Sequence, residues 1–272
     1  MHDQNASVWL KGARPVVFIA VVLAGGLTAL FSLWFVGGQV LAESPVSIPD
    51  ILHPSRSLTI LLFLLCVAAT VILAGIYLSD FQGSIEQART GPMDIVSLVL
   101  GRICMVLIAF VVIVMFYEVV VRYIFEKPTL WANELSLWTA GVVFLLSGLY
   151  AMQQRSHIRI YVIYDLMPRW AQKASDVFTV LLIWLFATAM LWGGYNEARD
   201  KFLRWETLGT AFDPPIPATV KPMLMILVFL VALQALSNLI ADWNKAPEHH
   251  SPLDDIDEAE IEELKKKLAV DE

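Results

Sequence analysis

Few side chains in this 272-residue sequence have a type and spacing that could do chemistry. Glu118 and Arg122 stand one helical turn apart at the end of an apolar run and can pair on one helix face. Trp131 and Glu134 follow in the next polar segment. Trp131 and Trp138 are seven apart, which places both indoles where tryptophan favours a membrane–water boundary. A later apolar run ends in Arg155, His157 and Arg159, two guanidiniums and an imidazole suited to lipid phosphates or to the acids of a partner. A proton relay through His157 would need a carboxylate chain leading to it, and none precedes it. Farther on, Glu197–Lys201 and Asp200–Arg204 have pairing spacing and suggest a helix that projects beyond its apolar part. Charge at a membrane edge costs several kcal/mol unless paired or hydrated, so each of these groups asks for a partner. The chemistry they offer is charge pairing and docking, and no residue is expected to be catalytic.

The remaining reactive types point the same way. Cys66 and Cys104 lie inside apolar runs and read as buried free thiols. No CxxC or Cys/His spacing suits zinc. None of the five histidines (His2, His53, His157, His249, His250) pairs within an apolar span, so haem has no support. There is no serine–histidine pair, phosphate loop, metal cluster or paired intramembrane carboxylate. Neither a metal nor a cofactor is expected. No basic tract suggests nucleic acid.

The elements that carry these residues are apolar. The chain is 57% hydrophobic and 17% charged, with a mean hydropathy of +0.64, well away from a soluble composition. Its net charge of −7 resides wholly in the segment after Pro247, where ten acids face Lys265, Lys266 and Lys267. Six apolar runs (15–42, 57–79, 103–121, 135–154, 177–196 and 222–241) are long enough to span a bilayer, and spanning segments of this kind must be helices. The first follows Lys11 and Arg14 and ends in Val40-Leu41-Ala42, as a cleaved signal would. It far exceeds a signal core of about 7–15 residues and reads as a retained span.

Gly91-Pro92 is a break, and Pro92 suits the first turn of a new helix. The expected organisation is a two-helix N-terminal extension (1–90; spans 15–42 and 57–79), a four-helix module (91–245; helices 93–125, 135–154, 177–204 and 218–243) and an acidic tail (246–272). Residues 93–125 would measure about 50 Å as a helix, more than the hydrocarbon thickness. Ser251, Pro252 and Asp254 open an amphipathic tail helix. Residues 164–170 read as a short surface turn, and the prolines at 214, 215 and 217 as a stiff connection. Lys and Arg are more frequent in the segments that share a side with the termini, which puts both termini inside.

Residues 93–244 resemble the small membrane subunit of tripartite ATP-independent periplasmic (TRAP) transporters. The resemblance rests on Arg122-Tyr123-Ile124-Phe125, Trp131-Ala132-Asn133-Glu134-Leu135, Arg155, and His157-Ile158-Arg159-Ile160. Glu206, Pro217, Lys221 and Gln234 are similar to one subgroup of that family. Tyr161 stands where the family usually has an aspartate, and residues 1–90 have no counterpart. The resemblance implies an all-α inner-membrane scaffold. A large permease would move an organic anion inward with sodium bound to itself, and a periplasmic binding protein would deliver the solute. It makes Arg122, Trp131, Glu134, Arg155 and His157 candidate partner contacts, with Glu118 as the local ion-pair partner. A cytochrome b-like anchor and a self-contained channel or carrier are the alternative readings.

Overall fold

The computed structural model describes residues 9–41, 58–81, 83, 86, 87, 89–155, 164 and 166–245, with side chains of the first helix only as far as Trp34. The proposed signal-cleavage junction after Ala42, His157 and the acidic tail lie outside the described residues. Six α-helices follow a single 3-10 turn (Lys11–Ala13) in the described chain: α1 (Arg14–Leu41), α2 (Leu58–Ser79), α3 (Pro92–Tyr123), α4 (Ala132–Gln153), α5 (Arg169–Leu203) and α6 (Ile216–Asp242). All six are long and apolar enough to cross a membrane. No strand occurs among the described residues. Backbone groups in hydrocarbon must be satisfied within their own segment, so apolar length becomes helix. Bulky residues such as Ile113, Phe144 and Trp192 are more than half exposed. This is the outward face of an integral membrane bundle, where lipid replaces the missing core.

Neighbouring helices form a row in which α1 packs on α2, α2 on α3, α3 on α4, α4 on α6 and α6 on α5; every pair is antiparallel except α4–α6, which run in the same direction. The chain therefore has two ends. At one, α1, α3 and α5 begin while α2, α4 and α6 finish; we call it the proximal end. The α3–α4 and α5–α6 connections lie at the distal end. Cys104, Leu146, Leu149 and Leu227 form the buried centre of the module, against Met223, Leu230 and Val231 of α6. Close approach replaces bulk elsewhere. A Cβ at Gly75 would stand 2.5 Å from Ile103, and one at Gly101 2.4 Å from the Tyr150 ring. Both cysteines are free thiols, Cys104 buried and Cys66 half-buried.

The largest difference from the sequence expectation is at α5, which begins at Arg169 rather than 177. Its 35 residues measure about 52 Å at 1.5 Å per residue. The segment 169–176 is polar, so apolar length alone misses it. Its backbone bonds are nonetheless helical from Ala171 N–H to Pro168 O (2.8 Å) onward. Gln172 is buried and donates to Tyr164 O (3.1 Å), fastening the polar turn to the loop before it. The other module helices differ by one to three residues at their ends, and Pro222 lies inside α6.

Candidate functional site

The polar chemistry of the described chain gathers at the two ends of the bundle. At the proximal end, α3 starts on Gly91 and Pro92, and Asp94 folds back over that start. One Asp94 oxygen accepts from Thr90 N–H (2.7 Å), Thr90 Oγ1 (2.8 Å) and Gly91 N–H (3.3 Å). These donors are left over at a helix N-terminus, and a carboxylate at the third position satisfies them. The other oxygen accepts from Gln234 Nε2 of α6 (2.7 Å). Gln234 Oε1 accepts from Ser97 Oγ (2.8 Å), and its amide also reaches Asn238 Oδ1 (2.8 Å). Asn238 Nδ2 donates to Met152 O of α4 (2.7 Å). Three helices thus share one buried network, with Asp94, Ser97 and Gln234 almost wholly excluded from solvent.

A second proximal cluster joins the two front helices to the module. Asp80, buried after α2, accepts from Trp9 N–H (2.8 Å) and Leu10 N–H (2.9 Å), and Arg14 Nε lies 3.7 Å from it. The Arg14 guanidinium sits 4.3 Å from the centre of the Phe81 ring, a cation–π contact. Arg89 Nη2 donates to Ser79 O (2.5 Å). Burial lowers the Arg89 pKa, against the opposing pull of Asp80 and Glu86. Glu86 receives Arg102 Nη2 (2.7 Å), Tyr150 Oη (2.8 Å) and Gly83 N–H (2.8 Å). Burial alone would raise the Glu86 carboxyl, but the Gly83 N–H, the Tyr150 hydroxyl and the Arg102 charge outweigh it and hold it below the ordinary range.

The sign of the resulting pH dependence follows. A depressed carboxyl contributes stability that is complete above its unfolded value of about 4.3 and fades as the pH falls through the lower folded value. Thermal unfolding of detergent-purified protein should show an acid limb below pH ~4.3 that Glu86→Gln flattens. An identical limb in the variant would remove Glu86 from its cause.

A third proximal contact closes the module. Arg155 Nε and Nη2 donate to Asp242 (2.6 and 2.9 Å), a bidentate pair between the ends of α4 and α6. Arg155 holds a positive φ of 54° as the chain leaves α4.

At the distal end Glu118 is buried. It accepts from Arg122 Nε (3.0 Å) and Nη2, and from the Thr129 N–H (3.2 Å) and hydroxyl. The expected Glu118–Arg122 pair is present and also clamps the α3–α4 connection. Trp131 stacks on Tyr117 with ring centres 5.8 Å apart. Trp138 turns inward, its indole N–H donating to Thr219 Oγ1 (2.8 Å). Glu134 accepts from Thr210 Oγ1 (2.5 Å) of the α5–α6 connection. The pairs expected along α5 give way to others, two of which leave the helix. Glu197 takes Lys221 of α6, Lys201 takes Glu206, and Asp200 takes its neighbour Arg199. The connection returns on itself, so Lys221 stands nearer to Glu197 than a same-helix lysine does.

Among the named candidates the structure gathers Glu118, Arg122, Trp131 and Glu134 at the distal end and puts Arg155 at the proximal end. It adds Asp94, Asp80, Glu86 and Arg102, which sequence reasoning did not single out. A proline at the first helical position followed two residues later by Asp was the available signal for Asp94. No cluster of metal-ligating side chains occurs among the described residues.

The arrangement defines a membrane-embedded helical subunit whose charge is spent on holding its own ends together. Residues 111–245 match the family model described as tripartite ATP-independent periplasmic transporters, DctQ component. Residues 111–245 thus carry a DctQ domain, the small permease component of TRAP transporters, which is a transporter-component family and not an enzyme family. No curated protein and no solved structure matches the chain. The family works with a large permease and a binding protein. The match begins within α3, so α1 and α2 lie outside it.

Proposed function

We propose that this chain is the fixed scaffold of a sodium-driven TRAP transporter. It orients a large permease that carries an organic anion delivered by a periplasmic binding protein, and sodium binds that large subunit. Its own chemistry supports a static role. The buried acids Asp94 and Glu118 sit near helix ends, and each is saturated by donors of the same chain. A transport pathway would instead offer unsatisfied polar groups at mid-membrane. The Lys/Arg distribution supports cytoplasmic termini, with the Trp131–Glu134 end periplasmic.

In this reading Arg122 and Trp131 offer contact surface at the periplasmic end, where Arg122 keeps 40% of its side chain exposed. Glu134 orders the loop beside them, and Arg155 fixes the cytoplasmic end. The observation that carries the proposal is the DctQ match across α4–α6 and the distal half of α3. Co-expression with a TRAP large permease from the same genome should yield a stable co-purifying complex, and Arg122→Ala with Trp131→Ala should lower its yield. A chain that never associates, or that transports alone in liposomes, would overturn the proposal.

A further inference from the structure

Among the described residues where α5 begins and α6 ends, cations outnumber the acids that could neutralise them. Arg169 and Lys173 lie one turn apart on α5, a like-charged pair that is destabilising by itself. Both partners of Arg169 are neutral: Nη2 donates to Lys245 O (2.6 Å) and Nη1 to Gln172 Oε1 (3.2 Å). Lys173 Nζ lies 4.8 Å from the centre of the Trp243 ring. Among the described residues no carboxylate pairs with it. Lys245 reaches Asp242 (2.7 Å), but that carboxylate already holds the Arg155 fork. The nearby acid of α5, Asp176, accepts from the Tyr164 hydroxyl (2.8 Å). Three cations thus meet with only a shared claim on one carboxylate.

Beside them stand two indoles that face outward, Trp170 at 75% exposure and Trp243 at 42%. Exposed indoles at the end of a span favour the membrane–water boundary, and cations at that depth favour headgroup phosphates. A basic recess between helix ends is the form such lipid sites take. We propose that Arg169, Lys173 and Lys245 bind the phosphate of an anionic glycerophospholipid, with Trp170 and Trp243 against its glycerol and upper acyl region. The acidic segment after Pro247 is the competing anion. A lipid occupies both halves of the site at once, its phosphate on the cations and its glycerol and acyl region on the indoles. The site is independent of any large permease, so its failure would leave the scaffold proposal untouched.

Lipid retention by the purified full chain tests this, read by native mass spectrometry from micelles doped with phosphatidylglycerol or phosphatidylcholine. The wild type should retain phosphatidylglycerol preferentially. Arg169→Gln combined with Lys173→Gln should weaken that retention roughly 20-fold. Lys173→Arg, which keeps the charge, and Lys127→Gln with Arg204→Gln at the distal end should preserve it. Circular dichroism confirms that each variant keeps its helices. Equal retention of the two lipids, or undiminished preference in the folded double variant, would overturn the site. So would displacement of the lipid by millimolar inorganic phosphate, which would identify a free-phosphate site. A preference seen only when Asp254, Asp255, Asp257 and Glu258 are changed to amides in the full chain would assign the patch to the acidic segment and overturn the lipid.

Discussion

Asp94→Ala is expected to cost about 2–4 kcal/mol of stability, about 1 for the lost helix cap and about 1–3 for the buried donor it strands. The carboxylate is 1% exposed and receives four hydrogen bonds, two from backbone N–H groups at the start of α3 and two from side chains. Alanine strands all four donors. Thr90 and Gly91 gain access to water as the helix start frays, but Gln234 does not. Its amide would keep Asn238 and Ser97 as partners while losing the acceptor that orients it. Asp94→Asn separates charge from shape, because one amide oxygen still accepts at the helix start. It should recover part of the loss. Thermal unfolding in detergent, followed by circular dichroism, reads both variants. Equal midpoints for wild type and Asp94→Ala would show that α3 and α6 are held by apolar packing alone.

The buried network also shows where the sequence was informative. Six spans were legible because hydrocarbon admits one solution for a long apolar run, and the helices follow those runs. The start of α5 was not legible from apolar length, since Arg169, Lys173, Ser175 and Asp176 extend a helix outside the hydrocarbon. There, tertiary contacts such as Gln172 to Tyr164 O decide its course. The Glu118–Arg122 pair was legible because it is local. Arg155–Asp242 and Glu197–Lys221 join residues 87 and 24 positions apart, and spacing along the chain carries no sign of such pairing. Arg155 reads from sequence as a group in search of an external partner; in the fold its acid partner is the chain's own Asp242. Gln234 entered only through family resemblance, and its role as the hub between Asp94, Ser97 and Asn238 needed the packing of α3 against α6.

Arg102→Leu is the second large effect, and it addresses the extension directly. Arg102 stands ten residues into α3, with 13% of its side chain exposed, and meets Glu86 of the α2–α3 connection at 2.7 Å. Its Nη2 also donates to Phe81 O (3.1 Å). One guanidinium therefore pins the connection at two points, beside the place where Gly75 lets α2 close on Ile103. Leucine preserves apolar volume but removes the guanidinium bonded to Glu86, while the Tyr150 hydroxyl and the Gly83 N–H remain on the carboxylate. Breaking a buried ion pair by removing one partner costs up to about 3–5 kcal/mol, and the chain has a cheaper escape. Releasing residues 80–91 into water hydrates Glu86 and loosens α2 from α3 while α3–α6 stay packed around Cys104 and Leu149. The expected result is a local transition, with limited proteolysis cutting between residues 80 and 91 at a temperature where the module is still helical. Pairing Arg102→Leu with Glu86→Leu removes both charges and should restore resistance, since replacing a buried ion pair by apolar groups is often neutral. If Arg102→Leu instead unfolded the whole chain in one step, the front helices and the module would form a single cooperative unit, and α1–α2 would be integral to the scaffold rather than attached to it.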